Sequence, residues 1–239
     1  INVYKMIGKE VSESEKIKKI YRASPPLVAL ETLTNSTMSF IAQYTGIKGN
    51  NATFGNSSIG AIHALQEAKT ALLDSPLAIV NSSNCGGDTS FLTNSSTLGY
   101  DDNWKESTAV ACLLLGNEQN QEGKSLAKIT HLRNSFKVPN IETKGIDRQW
   151  ADILKDEKTD GIIYSGAYSK NVNSLDEGYC KKLNTNVFSY FNSYGNMGPS
   201  NVFFGIIKAI SLIADGSQII DVIDRDVFGR ESVIRVEKC

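Results

Sequence analysis

Apolar and polar positions along the chain switch between a period near two and a period near three and a half, and each switch marks an element. "INVYKMI" reads as a short first strand, followed by a charged connector through Arg22. Pro25 and Pro26 suit a helix start, and Leu27, Leu30, Leu33, Thr34, Phe40 and Ile41 keep helical spacing until Gly46, Gly49 and Asn50–Asn51 break it. "ATF" reads as a brief strand. Ser57 to Leu73 reads as a helix with Ile62, Leu65, Leu72 and Leu73 inward, and Asp74-Ser-Pro stops it. "LAIVNSS" reads as an apolar strand buried on both faces. A polar loop, "NSSNCGGDTSFLTNSSTLGYDDN", follows; loops this long usually bind something or form an interface. "TAVACLLL" and "SLAKITHL" then read as two strands joined by the turn-rich "GNEQNQEGK".

The second half repeats the rhythm. Ile146–Leu154 reads as an amphipathic helix, "DGIIYSG" as a strand and turn, Ser174–Leu183 as a helix and "NVFSYF" as a strand. "GNMGPSNVFFGIIKAISLIAD" is a glycine-rich turn into an apolar helix with Pro199 near its first position, and "SQIIDVID" with "ESVIRVEKC" closes the chain as a hairpin. Set beside "GNSSIGAIHALQEAKTALLDSPLAIV", the stretch "GNMGPSNVFFGIIKAISLIADGSQIIDVI" follows one plan: Gly-Asn, small residues, helix, breaker, strand. A duplicated α/β unit is expected, with halves 1–135 and 136–239 of a single domain 1–239 and two central helices starting near Ser57 and Pro199 and running antiparallel.

Composition narrows the classes. With 41% hydrophobic and 21% charged residues, the 239-residue chain can bury a large core. A net charge of −1 leaves no electrostatic footprint for nucleic acid or an anionic membrane surface. No apolar run reaches the roughly 18 residues of a membrane span, and the opening residues show no secretory leader, so a cytoplasmic protein is expected. Cys85, Cys112, Cys180 and Cys239 are far apart, form no CxxC pair and read as free thiols. No cofactor and no metal site are expected.

The segment "GIKGNNATFGNSSIGAIHALQEAKTAL" resembles the nucleophile region of β-ketoacyl-acyl-carrier-protein synthases, G-x-x-G-P-x-x-T-x-x-T-A-C-x-S-G-x-x-A-x-x-x-A. "DGIIYSGAYSKNVNSLDEG" sits where that family has H-G-T-x-T…D…E, and "SYFNSYGNMGPSNVFFGIIKAI" where it has K-x-x-x-G-H…G-A-A-G. "SPPLVALETLTNSTMSFIAQYTGIKGN" is similar to its dimer-region helix. The resemblance implies a thiolase-like α/β fold of five layers, αβαβα.

The departures bear on chemistry. A condensing enzyme needs a cysteine thiolate at the helix start, where the dipole and backbone N–H groups lower its pKa. The matching position is Ser57. The positions of the two family histidines hold Ser165 and Asn196; the lysine falls at Phe191 or Asn192, and G-F-G-G-x-N has become "VFGRES" around Phe228 and Gly229. A scaffold stripped of its catalytic groups resembles the chain-length factors of type II polyketide synthases, and its compactness is similar to the short factors of aryl polyene and flexirubin pathways. That implies a noncatalytic subunit paired with an active ketosynthase, or with itself, and served by acyl carrier protein.

Plainer readings stand beside these. Ser57 fits a helix N-cap, and "CGGD" at Cys85–Asp88 fits a structural turn. An α/β-hydrolase site fails, because G-N-S-S-I is not G-x-S-x-G and only His63 and His131 could serve as base. His63 lies two turns into the Ser57 helix and His131 ends a strand, so both read as packing or surface residues. The "GNMGPSN" turn offers a helix start to an anion without any phosphate-binding signature. An acyltransferase or esterase using Ser57, and a homodimeric acyl-chain binder, remain as alternatives. For the partner reading, Leu77–Ser83 is the expected dimer-edge strand. Ile79 and Val80 then lie at the interface, the loop through Asn103 reaches the partner, and Phe91 lines its tunnel.

Overall fold

In the computed structural model the described residues are 36–55, 57–84, 107–117, 123–136, 158–164, 186–189, 191–225 and 230–239, with a few isolated positions before 36. Contacts divide the chain into two compact units, Ile1–Thr53 and Phe54–Cys239. In the first, α1 (Ser36–Thr45) buries no residue and leaves Phe40 and Tyr44 exposed. It stops at Gly46, whose φ of 71° and bond to the Ala42 carbonyl make a left-handed cap. "ATF" forms no strand. The expected helix from Pro25 lies outside the described residues until Ser36.

The second unit opens with α2 (Ser57–Ala71), which turns Ala61, Ile62, Leu65 and Ala68 inward and His63, Gln66, Glu67 and Thr70 outward. The helix ends before Leu73, and that side chain is exposed rather than buried as its spacing implied. β1 (Leu77–Asn84) and β2 (Ala109–Gly116) pair antiparallel, Leu77 opposite Gly116 and Asn84 opposite Ala109. Their inner face carries Val80, Ser82, Ala109, Ala111 and Leu113. β1 is therefore not buried on both sides: its burial alternates, and Leu77 and Ile79 face outward.

The larger sheet combines β3 (Lys128–Phe136), β4 (Gly161–Tyr164), β5 (Asn186–Ser189), β6 (Ile219–Arg225) and β7 (Arg230–Glu237) in the order β3-β7-β6-β4-β5. β4 is parallel to both β5 and β6, and only β7 runs against its neighbours. The closing hairpin β6–β7 is as the alternation predicts. Both strands expected on either side of "GNEQNQEGK" are present, β2 in the smaller sheet and β3 in the larger. β3, up to residue 135 read as first-half sequence, is an edge of this second sheet. A short helix, α3 (Phe191–Tyr194), precedes α4 (Ser200–Ala214).

α2 and α4 lie side by side between the two sheets and share one core with them: Ile62 and Leu65 of α2, Val202, Phe203 and Ile206 of α4, Val80 and Leu113 above, Ile163, Val222 and Ile234 below. This gives the sheet–helix–sheet centre of an α/β sandwich; the helices expected at 146–154 and 174–183 lie outside the described residues. α4 seats tightly because Gly205 has no side chain: a Cβ there would lie 2.3 Å from Val222 Cγ1. Among the described residues no helix is long and apolar enough to cross a membrane.

The outer face of β6–β7 holds Asp221, Ile223 and Arg225 opposite Arg235, Val233 and Glu231, and all are buried. Arg235 donates Nε and an Nη to the two Asp221 oxygens at 2.9 Å each, and Arg225 approaches Glu231 at 3.4 Å. Charges taken out of water persist in pairs, and here register supplies the partners directly across the ladder.

Candidate functional site

Each central helix is followed by a tight turn and a strand packed back against it. Residues 72–76 return α2 into β1, and residues 215–218 return α4 into β6. The start of each helix therefore lies at the carboxyl end of its strand. The Gly205–Val222 approach fixes this for α4. For α2 the same end is marked from above, because Ser82 of β1 donates its hydroxyl to Ser200, the first residue of α4, at 3.0 Å. Both helix starts thus gather at one end, and the expectation of antiparallel central helices is not met. The carboxyl ends of β4 and β6 meet there too, since those strands are parallel and Tyr164 stands opposite Ile223.

Of the positions read from the sequence, Ser57 and Asn196 adjoin this end among the described residues. Ser57 is the first residue of α2, Ser165 follows the last residue of β4, Asn196 precedes α4, and Phe228 and Gly229 lie between β6 and β7. Ser165, Phe228, Gly229, Phe91 and Cys85 are outside the described residues, and Phe191 and Asn192 belong to α3.

The start of α4 is the best defined part. Asn196 Oδ1 accepts the Gly198 N–H at 3.2 Å and Asn201 Nδ2 at 2.8 Å, while Asn201 Oδ1 accepts the Met197 N–H at 2.9 Å. Ser200 passes its hydroxyl toward the Ala109 carbonyl at 3.5 Å. Asn84 donates to the Ser107 carbonyl at 2.8 Å, the Ser107 N–H to the Asn196 carbonyl at 2.8 Å, and the Ser107 hydroxyl to the Tyr194 carbonyl. Asn84 and Ser107 flank the polar loop, so both ends of that loop are tied to the Asn196 turn. Gly198 is required there: its φ is 54°, and a Cβ would lie 2.6 Å from Asn84 Oδ1.

Hydroxyls and amides hold geometry but do not exchange protons near neutral pH as an imidazole does. The chain has only two histidines. His63 is exposed, edge-on to Phe54 at 5.9 Å. His131 is exposed within β3 rather than at its end, 3.2 Å from Thr130 Oγ1. Among the described residues, no group of three His, Cys, Asp or Glu side chains could hold a metal. Of the cysteines, Cys112 and Cys239 are exposed free thiols. Of the residues expected at an interface or tunnel, Ile79 is on the outer face, but Val80 belongs to this chain's own core. Sequence reasoning missed Ser82, Asn84, Ser107, Ser200 and Asn201. The visible signal was the change from apolar to small polar residues at the ends of "LAIVNSSN" and "GNMGPSN".

No protein-family model matches the chain, and no curated protein matches it by sequence. Solved structures do. The ketosynthase of a type II polyketide synthase, in complex with its acyl-carrier protein, superposes with a TM-score of 0.71 at 15% identity, over 94% of this chain and 69% of its own. The ishigamide ketosynthase/chain length factor gives 0.69 at 14%, over 92% and 67%. A ketosynthase from the bacillaene synthase of Bacillus amyloliquefaciens gives 0.69 at 12%, over 90% and 51%. The chain has the α/β thiolase-like fold of ketosynthases, and its duplication appears as α2–β1–β2 against α4–β6–β7.

Proposed function

We propose that the protein is a noncatalytic ketosynthase-like subunit, a chain-length factor that pairs with an active ketosynthase during elongation of acyl-carrier-protein-bound chains. The carrying observation is at the start of α4. The turn that would present an imidazole presents Asn196, and its amide oxygen is bonded to Gly198 and Asn201. Both histidines of the chain stand exposed elsewhere. Without a thiolate at Ser57 and without imidazoles, decarboxylative condensation has neither nucleophile nor proton carrier.

In this reading the chain 1–239 acts as one thiolase-like unit of two halves, in the cytoplasm where carrier-protein substrates are. Its role is of the short aryl polyene or flexirubin kind. Ile79, on the exposed face of β1, meets the ketosynthase, and Phe91 in the polar loop lines the acyl tunnel. The neighbours support this in kind: one is bound to an acyl-carrier protein, and another is a ketosynthase/chain length factor. The test is co-expression with ketosynthases that retain Cys-His-His, followed by affinity capture and an elongation assay. A stable pair in which only the partner's cysteine is needed supports the reading. A chain that captures none of them and elongates alone contradicts it.

A further inference from the structure

Positions 77, 79, 81 and 83 of β1 and 110, 112, 114 and 116 of β2 point away from the central helices, and none of them holds a charged residue. Leu77, Ile79, Val110 and Leu114 are exposed on this face, and so is the free thiol of Cys112. A contiguous exposed apolar cluster marks an interaction surface, because covering it takes apolar area out of water. Two constraints select the occupant. The first is charge. A face with fixed charges admits only a surface whose charges match it, whereas a face with none is complementary to itself. The second is size. Two paired strands of eight residues offer a patch roughly 26 Å long and 10 Å wide. A second patch of the same size covers it in ordinary sheet-on-sheet packing. The two together bury on the order of 1,000 Å², the low end for a specific complex, so the association is weak and reversible.

We propose that the outer face of β1–β2 is a self-association surface on which a second copy of this chain packs face to face, and that this dimer competes with assembly because the ketosynthase takes the same face. The register locates its centre. Asn81 stands opposite Cys112 midway along the ladder, with Leu77 opposite Gly116 at one end and Asn84 opposite Ala109 at the other. A two-fold interface brings the centre of the patch on one copy against the centre on the other, so the two Cys112 thiols come together. The competition rests on the chain-length-factor reading, in which Ile79 meets the ketosynthase. The self-association does not.

The experiment starts with the isolated full chain. Size-exclusion chromatography with light scattering over about a hundredfold dilution should show a dimer that falls to a monomer. Leu114→Lys, with unchanged circular dichroism, should be monomeric at every concentration. In a Cys239→Ser background, oxidation with diamide should give a disulfide-linked dimer that Cys112→Ser loses. A chain that is monomeric throughout overturns the proposal, as does a dimer that survives Leu114→Lys or forms no Cys112 link. Neither readout needs a ketosynthase, so this failure is separable from failure of the function reading. With a ketosynthase that the reduced chain captures, the Cys112-linked dimer should capture about tenfold less or lower still, and equal capture overturns the shared face.

Discussion

The two hairpins that follow the central helices share a plan and differ in what lies outside them. Outside β6–β7, Ile223 and Val233 are buried beside the pairs Asp221–Arg235 and Arg225–Glu231. Outside β1–β2, Leu77, Ile79, Val110 and Leu114 are 57%, 46%, 71% and 65% exposed. The inner faces are equivalent, since both close on α2 and α4. Duplication thus repeats what builds the core. It leaves the outer faces free to diverge, one into a buried and charge-paired surface, the other into an exposed apolar one.

The sharpest way to break this comparison is to remove one member of the sealed ladder. Arg235→Ala strands the Asp221 carboxylate and should cost about 3–5 kcal/mol, read by chemical denaturation. A joint Asp221→Leu, Arg235→Met change should recover most of it, and if the single change costs under about 1 kcal/mol, the pair is not sealed. The Gly205→Ala change should cost about 1–3 kcal/mol, because the added methyl meets Val222, a buried β-branched side chain on β6. Its effect should shrink when Val222→Ala is added, a coupling that a double-mutant cycle measures.

The paired residues Ile79 and Val80 sharpen the comparison from the other hairpin. Val80→Asp puts a charge in the core and should unfold the unit. Ile79→Asp, one residue away on the exposed face, should change stability by no more than about 0.5 kcal/mol and yet abolish assembly with a ketosynthase, as read by size-exclusion chromatography with light scattering. Equal behaviour of the two variants would mean that β1 does not have the two faces described. The smallest effect is expected at the helix start: Ser57 is the first helical residue of α2 rather than the N-cap its sequence suggests, so Ser57→Ala should change stability by no more than about 0.5 kcal/mol and leave the elongation rate of an assembled pair unchanged.

How much of this was legible depended on whether a signal was local. The alternation of "SQIIDVID" and "ESVIRVEKC" and the apolar stripe of "SNVFFGIIKAISLIA" named β6, β7 and α4 correctly, because backbone period and burial agree there. The echo of Gly-Asn, helix, breaker and strand likewise exposed the duplication. The failures are non-local. The strands on either side of "GNEQNQEGK" are present as read, but nothing local shows that β3 belongs to the other sheet. Nothing local shows that the charges at 221, 225, 231 and 235 are buried and paired across the ladder. Val80 and Ile79 are both apolar, and only the pleat separates core from surface. At the site, the assignment of Ser57, Ser165 and Asn196 to the positions of catalytic groups rests on the resemblance. That Asn196 would bond back into its own helix, tied through Ser107 and Asn84 to the ends of the polar loop, required the fold.

The central claim is that this chain takes part in elongation without carrying the acyl group. Intact-mass spectrometry of the assembled pair, after loading with acyl-carrier-protein thioester and quenching during turnover, tests it directly. The expected spectrum shows the acyl increment on the ketosynthase and an unmodified mass for this chain. A stoichiometric acyl increment on this chain, lost in Ser57→Ala, would contradict the account.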